Sequence, residues 1–461
     1  MNMINVRRLT VMTFLGAGML SGISAQVSPL QVDTLKETKI PDQWDLQSCI
    51  DYAKEQNITI RKNRITAVST QIDVKTAKAA MFPSLSFSTG QQVVNRPYQE
   101  TSSRVSGSEI ISSNSKTSYN GNYGLNASWT LYNGNKRLKT IQQEKLNNQM
   151  AELDVATSEN NIQESIAQVY IQILYAAESV KVNENTLQVS IAQRDRGQEL
   201  LNAGSIAKSD LAQLEAQVST DRYQLVTAQA TLEDYKLQLK QLLELDGENE
   251  MNIYLPALSD ENVLAPLPTK RDVYISALSL RPEIEASKLN VEASELGINI
   301  AKSSYFPTIS LSAGIGTNHT SGSDFTFGEQ VKNGWNNSIG LSVSVPIFNN
   351  RQTKSAVQKA KLQYETSMLS LLDEQKALYK TIESLWLDAN SAQQRYAAAN
   401  EKLKSTQISY ELISEQFNLG MKNTVELLTE KNNLLQAQQE QLQAKYMAIL
   451  NTQLLKFYQG D

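Results

Sequence analysis

Residues 77–90 read AKAAMFPSLSFSTG, and residues 301–314 read AKSSYFPTISLSAG, 224 positions later. The run 46–53 recurs more loosely as 270–277 at the same offset. Farther along, Gly124-Leu125 and Leu131-Tyr132-Asn133 are answered by Gly340-Leu341 and Ile347-Phe348-Asn349, now 216 positions apart. Leu201-Asn202-Ala203-Gly204 and Phe417-Asn418-Leu419-Gly420 stand at that second offset too. The change between offsets makes one connecting loop longer in the first copy. A unit this long is a duplicated half of one architecture, so the two copies are expected to share an axis or a wall. The expected boundaries are a first repeat over 26–246, a Pro-containing linker over 247–269 and a second repeat over 270–461.

The first 25 residues read as a secretory signal: Arg7-Arg8, an apolar stretch from Leu9 to Leu20, then Ile23-Ser24-Ala25 as a cleavage site. That apolar stretch is shorter than the roughly 20 residues a helical span needs. With 48 acidic against 43 basic side chains and no basic cluster farther on, nucleic-acid binding has no support. Cys49 is the single cysteine, so no internal disulfide can form; it falls on the apolar face of a helical pattern, as a small buried hydrophobe would.

Two periodicities organise the rest. In 120–131, Gly121, Tyr123, Leu125, Ala127, Trp129 and Leu131 alternate with Asn120, Asn122, Gly124, Asn126, Ser128 and Thr130. The matching segment alternates Ile339, Leu341, Val343, Val345 and Ile347 with Ser338, Gly340, Ser342 and Ser344. Leu85 and Phe87 alternate with serines, and Ile309, Leu311, Ala313 and Ile315 with Thr308, Ser310, Ser312 and Gly314. Period two predicts four strands, each with one apolar and one small, uncharged polar face. Their length of about 10 residues suits a tilted membrane-barrel strand, with Trp129 and Tyr132 placed for an aromatic girdle. Polar segments over 98–117 and 318–337 are expected as exposed loops, the second holding the single histidine, His319.

The remainder carries helical periodicity. Segments 135–203 and 351–418 each predict a helix on the order of 100 Å long, at 1.5 Å per residue. Each is followed by a glycine turn, at Gly204 or Gly420, and a returning helix over 208–245 or 424–457. Shorter helices over 46–80 and 270–304 precede the strands. Helices this long with narrow apolar stripes must pair as antiparallel coiled coils. The fold class is therefore α+β membrane protein, internally duplicated. Four strands cannot close a barrel, and lipid does not tolerate open edges. Three chains would supply twelve strands, the smallest assembly with room for a channel, continued by a helical barrel.

The doubled strand–loop–strand, the long hairpins with tips at Gly204 and Gly420, Phe82-Pro83 and Phe306-Pro307 opening strands, and Arg281-Pro282-Glu283-Ile284 resemble the outer membrane efflux proteins, the TolC-like family. The resemblance covers essentially the whole mature chain. It implies a homotrimeric outer membrane channel with its helical barrel in the periplasm, docked to a periplasmic adaptor protein and, through it, an inner membrane pump. It also implies a gate just beyond the two glycines. Asp210 then corresponds to an acidic bridge residue, Lys422 to a basic one, Phe417 to an aromatic gate position and Glu426 to an acidic constriction ring. Thr429 departs from the family, standing where a second acidic ring would be, although Glu430 is adjacent. Asp210–Lys422 pairs, within or between protomers, would hold the tips closed.

Catalytic chemistry finds no footing. One histidine and one cysteine exclude HExxH sites, Cys–His dyads and zinc clusters. Gly204-Ser205-Ile206-Ala207-Lys208-Ser209 has the look of a phosphate loop but lacks the glycine before the lysine. The alternative to a duct is a secreted structural or adhesive coiled-coil protein without a pore, which would have no need of charge-free strands of bilayer length.

Overall fold

A computed structural model describes residues 40–98, 102–106, 109–113, 116–246, 251–256, 263–321, 323 and 325–460. The expected signal segment lies outside them, as do parts of the loop over 98–117 and of the linker. From Pro41 onward the described residues belong to one compact unit.

Helices α1 (Leu46–Gln56) and α2 (Ile58–Ala79) lead into strand β1 (Ser84–Asn95), a short hairpin of β2 (Ser102–Ser106) and β3 (Glu109–Ser113), and strand β4 (Thr117–Asn133). The long hairpin of α3 (Lys136–Asn202) and α4 (Lys208–Leu242) follows. In the second half α5 (Lys270–Leu280) and α6 (Pro282–Ser303) lead into β5 (Thr308–Thr320), α7 (Phe327–Asn333) and β6 (Asn336–Ser344). The hairpin of α8 (Gln352–Asn418) and α9 (Thr424–Gln459) completes the chain. At 67 residues each, α3 and α8 are about 100 Å long.

The four long strands form one antiparallel sheet in the order β1-β4-β5-β6. Its register gathers the apolar residues: Phe87 lies beside Leu125, Leu125 beside Ile315, Trp129 beside Leu311, and Leu311 beside Leu341. Serine, asparagine and glycine share the other face, as in Ser88 beside Gly124, Asn126 beside Gly314 and Ser312 beside Gly340. Among the described residues nothing covers the apolar face. Leu85 is 70% exposed and Ile339 79% exposed. A water-soluble sandwich would bury that face; here it is bare, and β1 and β6 are unpaired edges.

Several expectations change. The last strand stops at Ser344 and not at Ile347, because Pro346 has no N–H to give a ladder and Ile347 lies 96% exposed beyond it. The segment over 318–337 is not a plain loop: β5 runs to Thr320, and α7 follows, started by a capping box between Thr326 and Glu329. His319 therefore sits in a strand, buried, its ring 5.3 Å from Tyr119, 5.9 Å from Tyr123 and 5.1 Å from Phe327.

The helices expected over 46–80 and 270–304 are each broken once, at positions 224 apart. Asn57 ends α1 and caps α2, accepting from Thr59 N at 2.9 Å and giving its amide to Leu242 O at 3.0 Å. Arg281 ends α5, and Pro282 opens α6 at its first position, where an N–H would have no partner within the helix. The Arg281 guanidinium lies over the rings of Tyr458, at 3.6 Å, and Phe457, at 4.6 Å, tying the end of α9 to this break.

Behind the breaks lie two cores. One joins Trp44, Cys49, Ala53, Tyr170, Leu239 and Leu450; the other joins Val273, Ala277, Ile284, Leu378, Ile382 and Leu455. Val273 and Ala277 occupy the counterpart positions of Cys49 and Ala53. Burial pushes the Cys49 thiol up to about 12, as an inert buried hydrophobe requires. The linker is tied to both halves. Trp44 N donates to Asn252 O at 2.8 Å, Tyr170 Oη to Tyr254 O at 2.6 Å, and Trp386 Nε1 to Pro268 O at 2.9 Å.

Candidate functional site at the hairpin tips

Both long hairpins turn in the same way. Gly204 and Gly420 adopt left-handed backbone at φ +75° and +72°, where a side chain would strain the chain although the surrounding space is open. Ser205 N donates to Leu200 O at 2.8 Å and Gly204 N to Leu201 O at 2.9 Å. Met421 N to Gln416 O and Gly420 N to Phe417 O, each at 2.9 Å, repeat the pattern at the second tip. This is the Schellman motif, which satisfies the last carbonyls of α3 and α8.

The returning helices start differently. At α4, Asp210 accepts from Ala207 N at 3.0 Å. At α9, Asn423 accepts from Glu426 N at 2.9 Å while Glu426 accepts from Asn423 N at 3.2 Å, a reciprocal capping box. Lys422 also donates to Glu426, at 2.5 Å. That bond, followed by the one from Asn423 N, holds the Glu426 carboxyl below its ordinary value. Within the chain, then, Asp210 and Lys422 are each engaged at their own helix start. Phe417 is buried at the end of α8, whereas Leu419, Met421 and Val425 are exposed around the second tip. The Thr429 hydroxyl is turned back onto Val425 O at 2.7 Å, and Glu430 accepts from Ser409 at 3.2 Å.

Deeper along the hairpins lies a cluster that the sequence reading missed. Lys431 of α9 donates to Asp221 of α4 and to Ser190 of α3, and the Ser190 hydroxyl donates to the same Asp221 oxygen. The lysine and aspartate side chains are only 4% and 1% exposed. Burial pushes the Lys431 ammonium down from its ordinary value, against the pull of Asp221. A signal was present: Lys431 falls between Leu427 and Leu435 at four-residue spacing, and Asp221 follows Leu214 and Val218 on one face. A charge in an apolar seam marks a buried partner.

The family model described as "Outer membrane efflux protein" matches residues 49–244 and 273–460, the two stretches on either side of the linker. The chain belongs to that family. Among its relatives are the outer membrane efflux protein BepC of Brucella suis, 24% identical over 63% of this chain and 61% of the relative, and the outer membrane protein TolC of Escherichia coli, 24% identical over 62% and 58%. The chain thus aligns with about three fifths of these relatives' lengths. The solved structure of CusC superposes over 90% of this chain and 91% of its own at a TM-score of 0.76, with 19% identity, which establishes the shared fold. Membership in the outer membrane efflux family places the sheet in the outer membrane and the long hairpins in the periplasm. It leaves the pore-free adhesin without support. Among the described residues no helix is long and apolar enough to cross a membrane, and no group of His, Cys, Asp and Glu could hold a metal.

Proposed function

We propose that the chain is one third of a homotrimeric exit duct, its four strands completing a twelve-stranded barrel and its hairpins a periplasmic tube. The observation that carries this reading is the bare apolar face of an open-edged sheet, with an uncharged Ser, Asn and Gly face behind it. Lipid can cover the first but not the edges, so the edges must meet those of further copies. The two similar halves, 26–246 and 270–461 about the linker 247–269, then double the wall that each chain supplies, which makes three chains enough.

The tips are the periplasmic gate, and Gly204 and Gly420 mark the end that a periplasmic adaptor protein docks, linking the duct to an inner membrane pump. On assembly Asp210 and Lys422, besides the bonds at their own helix starts, bridge neighbouring protomers; Phe417 packs the closed end, and three copies of Glu426 around the axis repel one another and attract cations. Export is passive here and powered by those partners, so the duct itself needs no catalytic residue. Single-channel recording in planar bilayers tests the reading. Purified trimer should give discrete conductance steps that grow in Asp210→Ala and Lys422→Ala; a preparation without steps would rule out the duct, and unchanged steps in both variants would rule out the gate.

A further inference from the structure

We propose that Ser190, Asp221 and Lys431 form the pivot of the gate, a fixed point that stays closed while the helix ends beyond it move. This rests on the reading of the tips as a gate. Asp221 stands 13 residues after the start of α4 and Lys431 seven after the start of α9, so about 10–20 Å of each returning helix lies beyond the cluster. The three side chains come from three helices and from both hairpins, and they are buried. Separating them would strand two charges away from water, whereas the tip bonds, with Lys422 and Glu426 33% and 39% exposed, can be exchanged for water at little cost. The soft part of the hairpins is therefore the part beyond the cluster.

The cluster also fixes register. Its charges interrupt a seam otherwise made by Leu214, Val218, Leu427 and Leu435, and a shift of one turn would set Lys431 against an apolar neighbour. Gln217 reinforces the alignment, donating to Asp221 at 2.9 Å and to Asn432 at 3.3 Å, so that α4 and α9 share one amide. Asp221 and Lys431 act on the gate as positioning residues: they set where the tips sit when closed without lining the aperture.

The full-length trimer, with one spin-labelled protomer per trimer, tests this by pulsed distance measurement. One label pair flanks the cluster at the exposed positions Ser219 and Asn433; the other lies at the tips, at Lys208 and Met421. In an Asp210→Ala/Lys422→Ala background the tip distance should change by several ångströms while the Ser219–Asn433 distance holds; an equal change at both levels overturns the pivot. If that background conducts as wild type does, the gate reading fails first and the pivot falls with it. Resting conductance gives a second arm. Lys431→Met should raise it at least three-fold in assembled trimers, and the exchanged pair Asp221→Lys/Lys431→Asp should restore it. Should Lys431→Met fail to assemble, the neutral pair Asp221→Asn/Lys431→Met takes its place with the same expected rise. Wild-type conductance in the assembled variant overturns the proposal.

Discussion

The two hairpin tips share a backbone and differ in chemistry. Each closes with the same Schellman pair and a left-handed glycine, yet the helix that returns from the first is started by a single Asp210 bond, and that from the second by a capping box with Lys422 bound to it. What a turn needs was kept in both copies; what the proposed gate needs falls mainly on one. The second returning helix also carries Lys431, which reaches across to the first hairpin. The proposed moving end and its anchor therefore lie on one arm of the second hairpin, Lys431 standing nine residues after Lys422 and five after Glu426.

The strongest way to break that comparison is to remove the anchor. Lys431→Ala leaves the Asp221 carboxylate buried and unpaired, a change expected to cost about 3–5 kcal/mol in each protomer. Thermal unfolding of the detergent-solubilised trimer should show a large drop, while Asp221→Asn/Lys431→Met should melt close to wild type. If Lys431→Ala costs no more than Lys422→Ala, the division into anchor and moving end is wrong.

The next effect sharpens the shared part. Gly204→Ala and Gly420→Ala each force a Cβ into left-handed backbone, expected to cost about 1–2 kcal/mol. Because neither site has a neighbour within 4 Å, the two losses should match within error by the same melting assay. Unequal losses would mean that one tip bears a constraint besides its turn.

Smaller again are the tip charges. Asp210→Ala and Lys422→Ala change half-buried side chains at the rim of the tips, expected to shift stability by about 0–1 kcal/mol while raising conductance. Lys422→Ala should have the larger channel effect, since it also frees Glu426. A larger effect from Asp210→Ala would move the gate to the first copy.

Much of this was open to reading in the residues. Period-two alternation around Leu125 and Leu341 located the sheet and both its faces, and a repeat offset by 224 and then by 216 positions aligned the halves. Pattern alone did not find where elements stop. The alternation runs through Val345 to Ile347, but Ser344 already faces Thr308, the first residue of β5, and Pro346 has no N–H to carry the ladder farther. The break at Arg281 has a local sign in Pro282, and that at Asn57 in its capping side chain; Leu242 O and the Phe457 and Tyr458 rings, which secure them, lie in no local window. His319 was misplaced for a similar reason: a polar segment rich in Ser and Asn hid a strand end covered by α7. At the tips the charges were found, but not their partners in the fold, since Lys422 is satisfied four residues on by Glu426. The buried Lys431–Asp221 pair was passed over because charges on long helices usually belong to solvent. Its leucine flanks were the sign that these two do not.

The finest test of the difference between the tips is acid. Glu426 is held ionised by Lys422 and by Asn423 N, so its folded carboxyl lies below the ordinary value of 4.5. A carboxyl lowered on folding contributes stability that is complete above its unfolded value and is lost as pH falls through the folded one. Between neutral pH and about 4.5 the second tip should therefore be unaffected, and below it the capping box and the Lys422 bond should weaken together. In bilayer recordings at stepped pH, this should appear as a rise in conductance setting in below 4.5. Glu426→Gln should abolish that step, and Lys422→Ala should move its onset upward, because the cause that lowers the carboxyl most has been removed. An unchanged acid step in Glu426→Gln would assign the titration elsewhere and leave the two tips more alike than their bonding suggests.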